Sequence, residues 1–294
     1  MTDGAPSRTF PSSLSPSRAS DFTTCPLLFR FRSIDRLPEK PSAAAVRGTL
    51  LHRALEWLFD LPAAERTPAS ADDLLERAVE EMAVESPDEL NALRPSADEP
   101  PKVDGTGLIE AYFTLEDPRR LEPHARELHV SAHIDGDFEL RGFVDRVDVS
   151  PQGLVRIVDY KSGKAPSEAF AGKAMFQMRF YGLTWWRMTG EVPRLLQLMY
   201  LGNRSLLRYE PDEDDLRSTE RRILALRDAI SRVADDGDFQ ATPSRLCDWC
   251  SHRSLCPAWG GTPPPLPPRD TWPTAISSRG QRGAQPDSES GSPA

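Results

Sequence analysis

The 294-residue chain contains no apolar run near the roughly 20 residues a helix needs to cross a bilayer. No basic-then-apolar leader opens it either. Those two absences give the expectation of a soluble, cytoplasmic protein with no membrane partner. Cysteine is scarce, with Cys25, Cys247, Cys250 and Cys256 the whole complement. A phosphate-cradling G-x4-G-K-[ST] loop is missing: "SGKAPS" and "AGKAMF" supply the only Gly-Lys pairs and neither completes it, so no ATP motor is expected here. No internal repeat is visible. Hydrophobic residues make up only 38% of the chain. The deficit lies at the ends, which are rich in Ser, Pro and Gly and too poor in apolar groups to offset the entropy of ordering. Disordered tails are therefore expected at residues 1–13 and 260–294, with one folded domain over 14–259.

Net charge is −9, which at first argues against a nucleic-acid partner. Its distribution changes the argument. Residues 61–104 hold 12 acidic against 4 basic residues, and residues 141–200 hold 9 basic against 5 acidic. Fields act within a Debye length of about 8 Å, so the local positive balance counts for more than the sum.

Hydrophobic spacing predicts a helix over residues 20–36 and a second at "RGTLLHRALEWLFD", with Leu51, Leu55 and Leu58 on one stripe. A third follows at "SADDLLERAVEEMAVE", then a Pro- and Asp-rich loop over 86–104 and a helix at "GLIEAYFTLED". The period then switches to two. "RELHVSAHI", "FELRGFVDRVDV" and "LVRIVDYKS" read as three strands joined by the turns "DGD" and "SPQG". A helix at "SEAFAGKAMFQMRFYGLTWWRMT", a hairpin at "PRLLQLMYLG" and "SLLRYE", and an acid-led helix from Asp212 complete the order. The fold class expected is α/β: a mixed central sheet flanked by helices, with a helical N-terminal region and a C-terminal cysteine cluster.

The second of those turns joins strands that carry Asp145, Asp159 and Lys161 inside runs of Val, Ile, Leu and Phe. Residues two apart on a strand share a face, so Asp159 and Lys161 point the same way, and Asp145 on the neighbouring strand can face them. Most Asp/Lys pairs on strands are salt-bridged surface. Here the apolar surroundings call for burial, and two buried carboxylates with an ammonium suit a divalent cation and phosphodiester hydrolysis.

The cysteines form a second constellation. "CDWCSHRSLC" spaces Cys247, Cys250 and Cys256 as C-x2-C-x5-C, and Cys25 is the remaining candidate for a fourth ligand. In a cytosolic chain this spacing argues for thiolate metal ligation over disulfides. Four thiolates fit a tetrahedral Zn²⁺ or a [4Fe–4S] cluster.

Asp145 followed by "VDYKSGK" resembles the D…(D/E)-x-K signature of restriction-endonuclease-like, PD-(D/E)XK nucleases. "GFVDRVD" with "DYKSG" is similar in detail to RecB-type exonuclease domains. The resemblance implies a restriction-endonuclease-like core over residues 14–259. Catalytic roles would fall to Asp145, Asp159 and Lys161, with His52 in "GTLLHRALE" joining Asp145 and Asp159 as Mg²⁺ or Mn²⁺ ligands. It further implies roles for Glu127 in "RELHV" and for Gln177 and Tyr181 in a Q-x-x-x-Y motif, whose side chains approach the substrate or active site. Relatives of the AddB type and the CRISPR-adaptation nucleases carry one N-terminal and three C-terminal cysteines on a [4Fe–4S] cluster, which favours that cofactor over Zn²⁺ here. Taken alone, a histidine on an amphipathic helix or a Gln/Tyr pair four apart more often packs than reacts.

The expected activity is metal-dependent DNA exonucleolysis on single-stranded ends, in repair or recombination, alone or beside a helicase or repair partner. Arg30, Arg32, Arg36, Arg179 and Arg187 are candidates for phosphate contacts. The rival readings are a catalytically silent DNA-binding subunit and a zinc-stabilised interaction protein.

Overall fold

The computed structural model of the protein describes residues 10–273 except 95–98, 100, 104 and 105. The chain opens with β1 (Ser13–Leu14), α1 (Pro16–Thr24) and α2 (Pro26–Ser33). It continues through α3 (Ala43–Leu58), α4 (Pro68–Glu85), α5 (Pro87–Leu90) and α6 (Thr106–Leu115). Three strands follow, β2 (Ala125–Ile134), β3 (Phe138–Val149) and β4 (Val155–Lys161). Then come α7 (Glu168–Thr189), β5 (Leu195–Tyr200), β6 (Ser205–Tyr209) and α8 (Glu213–Asp236).

Local chemistry fixes many of the helix ends. Ser15, Ser42 and Thr67 cap α1, α3 and α4 by accepting the backbone N–H three residues on. Asp212 and Asp215 form a reciprocal capping box that starts α8. The helix expected over 20–36 is two helices. Pro26 removes a donor and forces the residue before it out of the helical region, and Cys25 is accordingly extended at φ −163°, ψ 113°. The loop expected over 86–104 contains α5 and a 3-10 turn at Asn91–Leu93.

The sheet is mixed, in the order β1-β3-β4-β5-β6, with β2 on the other edge of β3. Strands β2, β3 and β4 form the antiparallel meander, β4 runs parallel to β5, and β1 runs parallel to β3. Alternation along β4 divides the core. Val155 and Ile157 face a layer built from α1, α2, α7 and α8, whereas Val158 and Tyr160 face α3, α4 and α6. Each Val, Leu or Ile buried in these layers contributes about 1.5–3 kcal/mol relative to exposure.

The folded unit also extends beyond the expected 14–259. Phe10 and Trp272 are 6% and 5% exposed and meet edge-on at 5.0 Å. The Trp272 indole donates to the Pro267 carbonyl at 2.8 Å. Two isolated aromatics in Pro-rich surroundings therefore close one end of the core. The remainder of the expected tails, residues 1–9 and 274–294, lies outside the described residues. Among the described residues no helix is long and apolar enough to cross a membrane.

Candidate active site

Strand β3 makes the site by having two partners on one edge. β1 pairs with it at Glu139 and Leu140, and β4 pairs with it from Arg146 to Val149. Residues 141–145 between these ladders pair with neither strand. At the inner end of the gap, the Asp145 carboxylate does what a strand carbonyl would do: its Oδ2 accepts the Tyr160 N–H at 2.7 Å. The Tyr160 carbonyl accepts from His52 Nε2 at 2.9 Å. A carbonyl only accepts, so Nε2 carries the proton. His52 then presents Nδ1 to Asp145 Oδ1, 3.5 Å away.

Glu127 lies directly across from Asp145 on β2, between the pairs Arg126↔Arg146 and Leu128↔Val144. Its backbone is left-handed at φ 43°, a strained conformation for a residue with a Cβ, and such strain concentrates at working sites. His52, Glu127 and Asp145 each offer a ligand atom, all within 4.8 Å of one another. Among the described residues they are the one group of three or more His, Cys, Asp or Glu that meets this spacing.

Asp159 is 2% exposed and faces α7. Its Oδ1 accepts from Gln177 Nε2 at 2.8 Å, and its Oδ2 lies 2.7 Å from Lys161 Nζ. That second contact is an ion pair without hydrogen-bond alignment, which leaves Oδ2 buried with unused lone pairs. Gln177 closes the ring by accepting from Lys161 Nζ at 3.0 Å through its own Oε1. Its amide also donates to the Tyr181 hydroxyl at 3.4 Å. The Tyr181 ring rests on Gly142, where an added Cβ would come within 2.6 Å of the ring carbon Cε1.

The crowding of acids shows in their proton affinity. Burial, reinforced by Asp145, pushes Glu127 up to about 7. Burial also pushes Asp145 up to about 6, with His52 opposing and Asp159 adding to the rise. For His52, burial is outweighed by Asp145, Asp159 and Glu127, which raise it. At Lys161 burial is likewise outweighed, by its pairing with Asp159, so the amine is held as an ammonium. Three carboxylates converge beside one histidine and one ammonium. A divalent cation would relieve that excess of negative charge, and oxygen donors with one imidazole suit such an ion. The residues present fit it.

The comparisons with known proteins decide the family. The sequence profile of the PD-(D/E)XK nuclease superfamily matches residues 13–257. The chain belongs to the PD-(D/E)XK nuclease superfamily. It is 25% identical over 296 residues to the "Gene 69 protein" of Mycobacterium phage L5, covering 83% of this chain and 96% of that one. A crystal structure from Eubacterium rectale, described as a "Putative exonuclease", matches with a TM-score of 0.53 at 13% identity. It covers 86% of this chain and 93% of the other, and supports the restriction-endonuclease-like fold.

In this nuclease the structure brings all seven expected residues to one place, in two groups: His52, Glu127 and Asp145, and Asp159, Lys161, Gln177 and Tyr181. The expected metal set was His52, Asp145 and Asp159. The mutually close set is His52, Glu127 and Asp145, and Asp159 stands beside it, engaged by Lys161 and Gln177. Four of the five arginines suggested for phosphate contacts are tied into the fold instead. Arg30 pairs with Asp35, Arg32 with Asp21 and Glu39, and Arg187 with Glu220, while Arg179 lies over the Tyr209 ring. The fifth, Arg36, takes a left-handed backbone at φ 52°.

All four cysteines are free and line one cavity of about 50 Å³. Backbone N–H groups of Thr242 and Ser244 donate to the sulfurs of Cys25 and Cys247 at 3.4 and 3.3 Å. His252, which sequence reasoning left without a role, lines the same cavity and is buried against Glu39 at 2.8 Å. Also missed was the ionic cluster behind β3 and β4. Arg146, 1% exposed, binds Glu116 through both Nη atoms at 2.6 and 2.9 Å and donates to the Tyr160 hydroxyl at 2.6 Å. An arginine within the strand run "FVDRVDV" was its one sequence signal.

Proposed function

We propose that the protein is a divalent-metal-dependent DNA exonuclease of the RecB type that acts on single-stranded ends. The convergence of His52, Glu127 and Asp145 on one point, with the Asp159–Lys161 pair beside it, carries this reading. His52 Nδ1 and carboxylate oxygens of Glu127 and Asp145 would hold Mg²⁺ or Mn²⁺, with Asp159 beside them. When bound, the ion supplies charge for the scissile phosphate and lowers the pKa of an attacking water.

The protein's own groups do the rest. The Tyr160 carbonyl holds the Nε2–H tautomer of His52 and so keeps Nδ1 available as a donor atom. Lys161, held as an ammonium, has no lone pair with which to act as a base. Its task is electrostatic: it donates to a phosphate oxygen or an attacking water and stabilises charge that grows in the transition state. Gln177 fixes Lys161 and Asp159 relative to each other through one amide. Tyr181, one turn further along α7, accepts from the same amide and holds it in place.

For the cysteines, we propose a [4Fe–4S] cluster that ties Cys25 to Cys247, Cys250 and Cys256. Support comes from their shared cavity and from the N–H groups aimed at two sulfurs.

The test is degradation of end-labelled single-stranded DNA with Mn²⁺, using strands blocked at the 5′ or the 3′ end. Wild type should shorten the unblocked strand, and Asp159→Asn should not. Equal persistence of DNA with both proteins would favour a silent DNA-binding subunit. Stoichiometric zinc in a colourless, inactive preparation would favour an interaction protein.

A further inference from the structure

We infer that Tyr160 positions both flanks of the metal site, and that the buried Arg146–Glu116 pair holds Tyr160 in place for that task. The inference rests on the metal-dependent reading above and adds residues to it.

Tyr160 meets the site through its main chain and through its ring, which lies edge-on to the His52 imidazole at 6.0 Å, a contact that phenylalanine would keep. Its N–H orients the Asp145 carboxylate at 2.7 Å, and its carbonyl orients the His52 imidazole at 2.9 Å. One peptide segment thus sets the angle of two of the three converging groups. Both polar atoms are turned toward the gap beside β3. On the other edge, Tyr160 is paired in parallel register with Met199, which limits how far the segment can tilt.

The side chain points into the layer of α3, α4 and α6, away from the face of Asp159 and Lys161. The phenol, 4% exposed, lies edge-on to Tyr112 at 5.9 Å and receives a hydrogen bond from Arg146 Nη1 at 2.6 Å. Arg146 is itself held by Glu116, at the C-terminal end of α6, and by Asp148, whose Oδ2 lies 3.2 Å from Nε. Arg156 braces the same two carboxylates, 3.1 Å from Glu116 and 2.8 Å from Asp148. The cluster therefore links α6, β3 and β4 in one hydrogen-bonded unit.

Two carboxylates satisfy the charge of Arg146 without any phenol, and a phenylalanine would fill the same apolar space. What the hydroxyl adds is a fixed height and rotation for residue 160. Neighbours that orient ligand side chains tune metal affinity by roughly 10–100-fold. The network meets no reacting atom, so its residues position and do not catalyse.

The test uses Tyr160→Phe and, as a second and milder probe of the same link, Glu116→Gln. Free Mn²⁺ is titrated by electron paramagnetic resonance into wild type and both variants, with no DNA present. The ¹⁵N–¹H signal of His52 is followed in the metal-free proteins. The expected result is Mn²⁺ affinity lowered about tenfold and loss of the slowly exchanging His52 Nε2–H. Cleavage at limiting Mn²⁺ should fall by the same factor and return at high Mn²⁺, with KM for DNA unchanged. A merely structural role would lower thermal stability and leave the Mn²⁺ affinity of the folded variants at the wild-type value. That outcome overturns the inference while the nuclease reading stands. Wild type that binds no Mn²⁺ overturns the reading itself, and the inference with it.

Discussion

Metal binding at this site should displace protons, because burial raises the carboxyls that would hold the ion. Glu127 is pushed up to about 7 and Asp145 up to about 6. At pH 6 Asp145 is then about half protonated and Glu127 about nine-tenths, whereas at pH 8 the two together hold about a tenth of a proton. A cation that needs both carboxylates should therefore release about 1.4 protons at pH 6 and almost none at pH 8. Competition with those protons weakens its apparent affinity about twentyfold between pH 8 and pH 6. His52, whose pKa is also raised, adds to the effect in the same direction. The assay is isothermal titration of Mn²⁺ at both pH values, each in two buffers of different ionisation enthalpy, so that protons are counted directly. Affinities that agree within twofold, with no protons released at pH 6, would refute the argument that burial, reinforced by neighbouring acids, raises these carboxyls.

The same shifts set the sign of a stability effect. The native state binds these protons more tightly than the unfolded chain, whose carboxyls titrate near 3.8 and 4.5. The contribution of the site to stability is therefore fully present below about pH 4 and is lost as pH rises through about 6 to 7. In thermal melts at fixed pH, the metal-free wild type should lose stability relative to Glu127→Gln over that range, and Mn²⁺ should restore it.

Two further outcomes follow from packing and from the cysteines. Gly142→Ala forces the buried Tyr181 ring away from a contact of 2.6 Å, so chemical denaturation should show a loss of about 1–3 kcal/mol. Activity should fall further than stability does, because Tyr181 carries its hydrogen bond to Gln177 with it. Cys256→Ser removes one thiolate of four, and anaerobically purified protein should lose its broad visible absorption and most of its iron. Retained colour with full iron content would count against Cys256 as a ligand.

Much of the site was legible because its residues sit on elements with a clear period. Asp145, Asp159 and Lys161 lie on strands whose alternation is plain, whereas the roles of His52, Gln177 and Tyr181 came through resemblance. Glu127 likewise was accessible only through resemblance. The left-handed backbone that turns it toward Asp145 has no local signature in "RELHV". The Arg146–Glu116 link joins residues 30 apart through the docking of α6 on the sheet, and such long-range pairing leaves no periodic trace. The gap beside β3 depends on a two-residue strand, β1, too short for any pattern to reveal. Composition misled at the ends, where single aromatics such as Phe10 and Trp272 do the work of a longer apolar run.

The central claim is that His52, Glu127 and Asp145 share one divalent cation beside the Asp159–Lys161 pair. Anomalous diffraction from crystals grown with Mn²⁺, collected at the manganese edge, tests it most directly. The account predicts one strong peak in contact with His52 Nδ1 and with oxygens of Glu127 and Asp145, next to Asp159. A protein that cuts DNA with Mn²⁺ yet shows no manganese there, or shows it bound elsewhere, would contradict it.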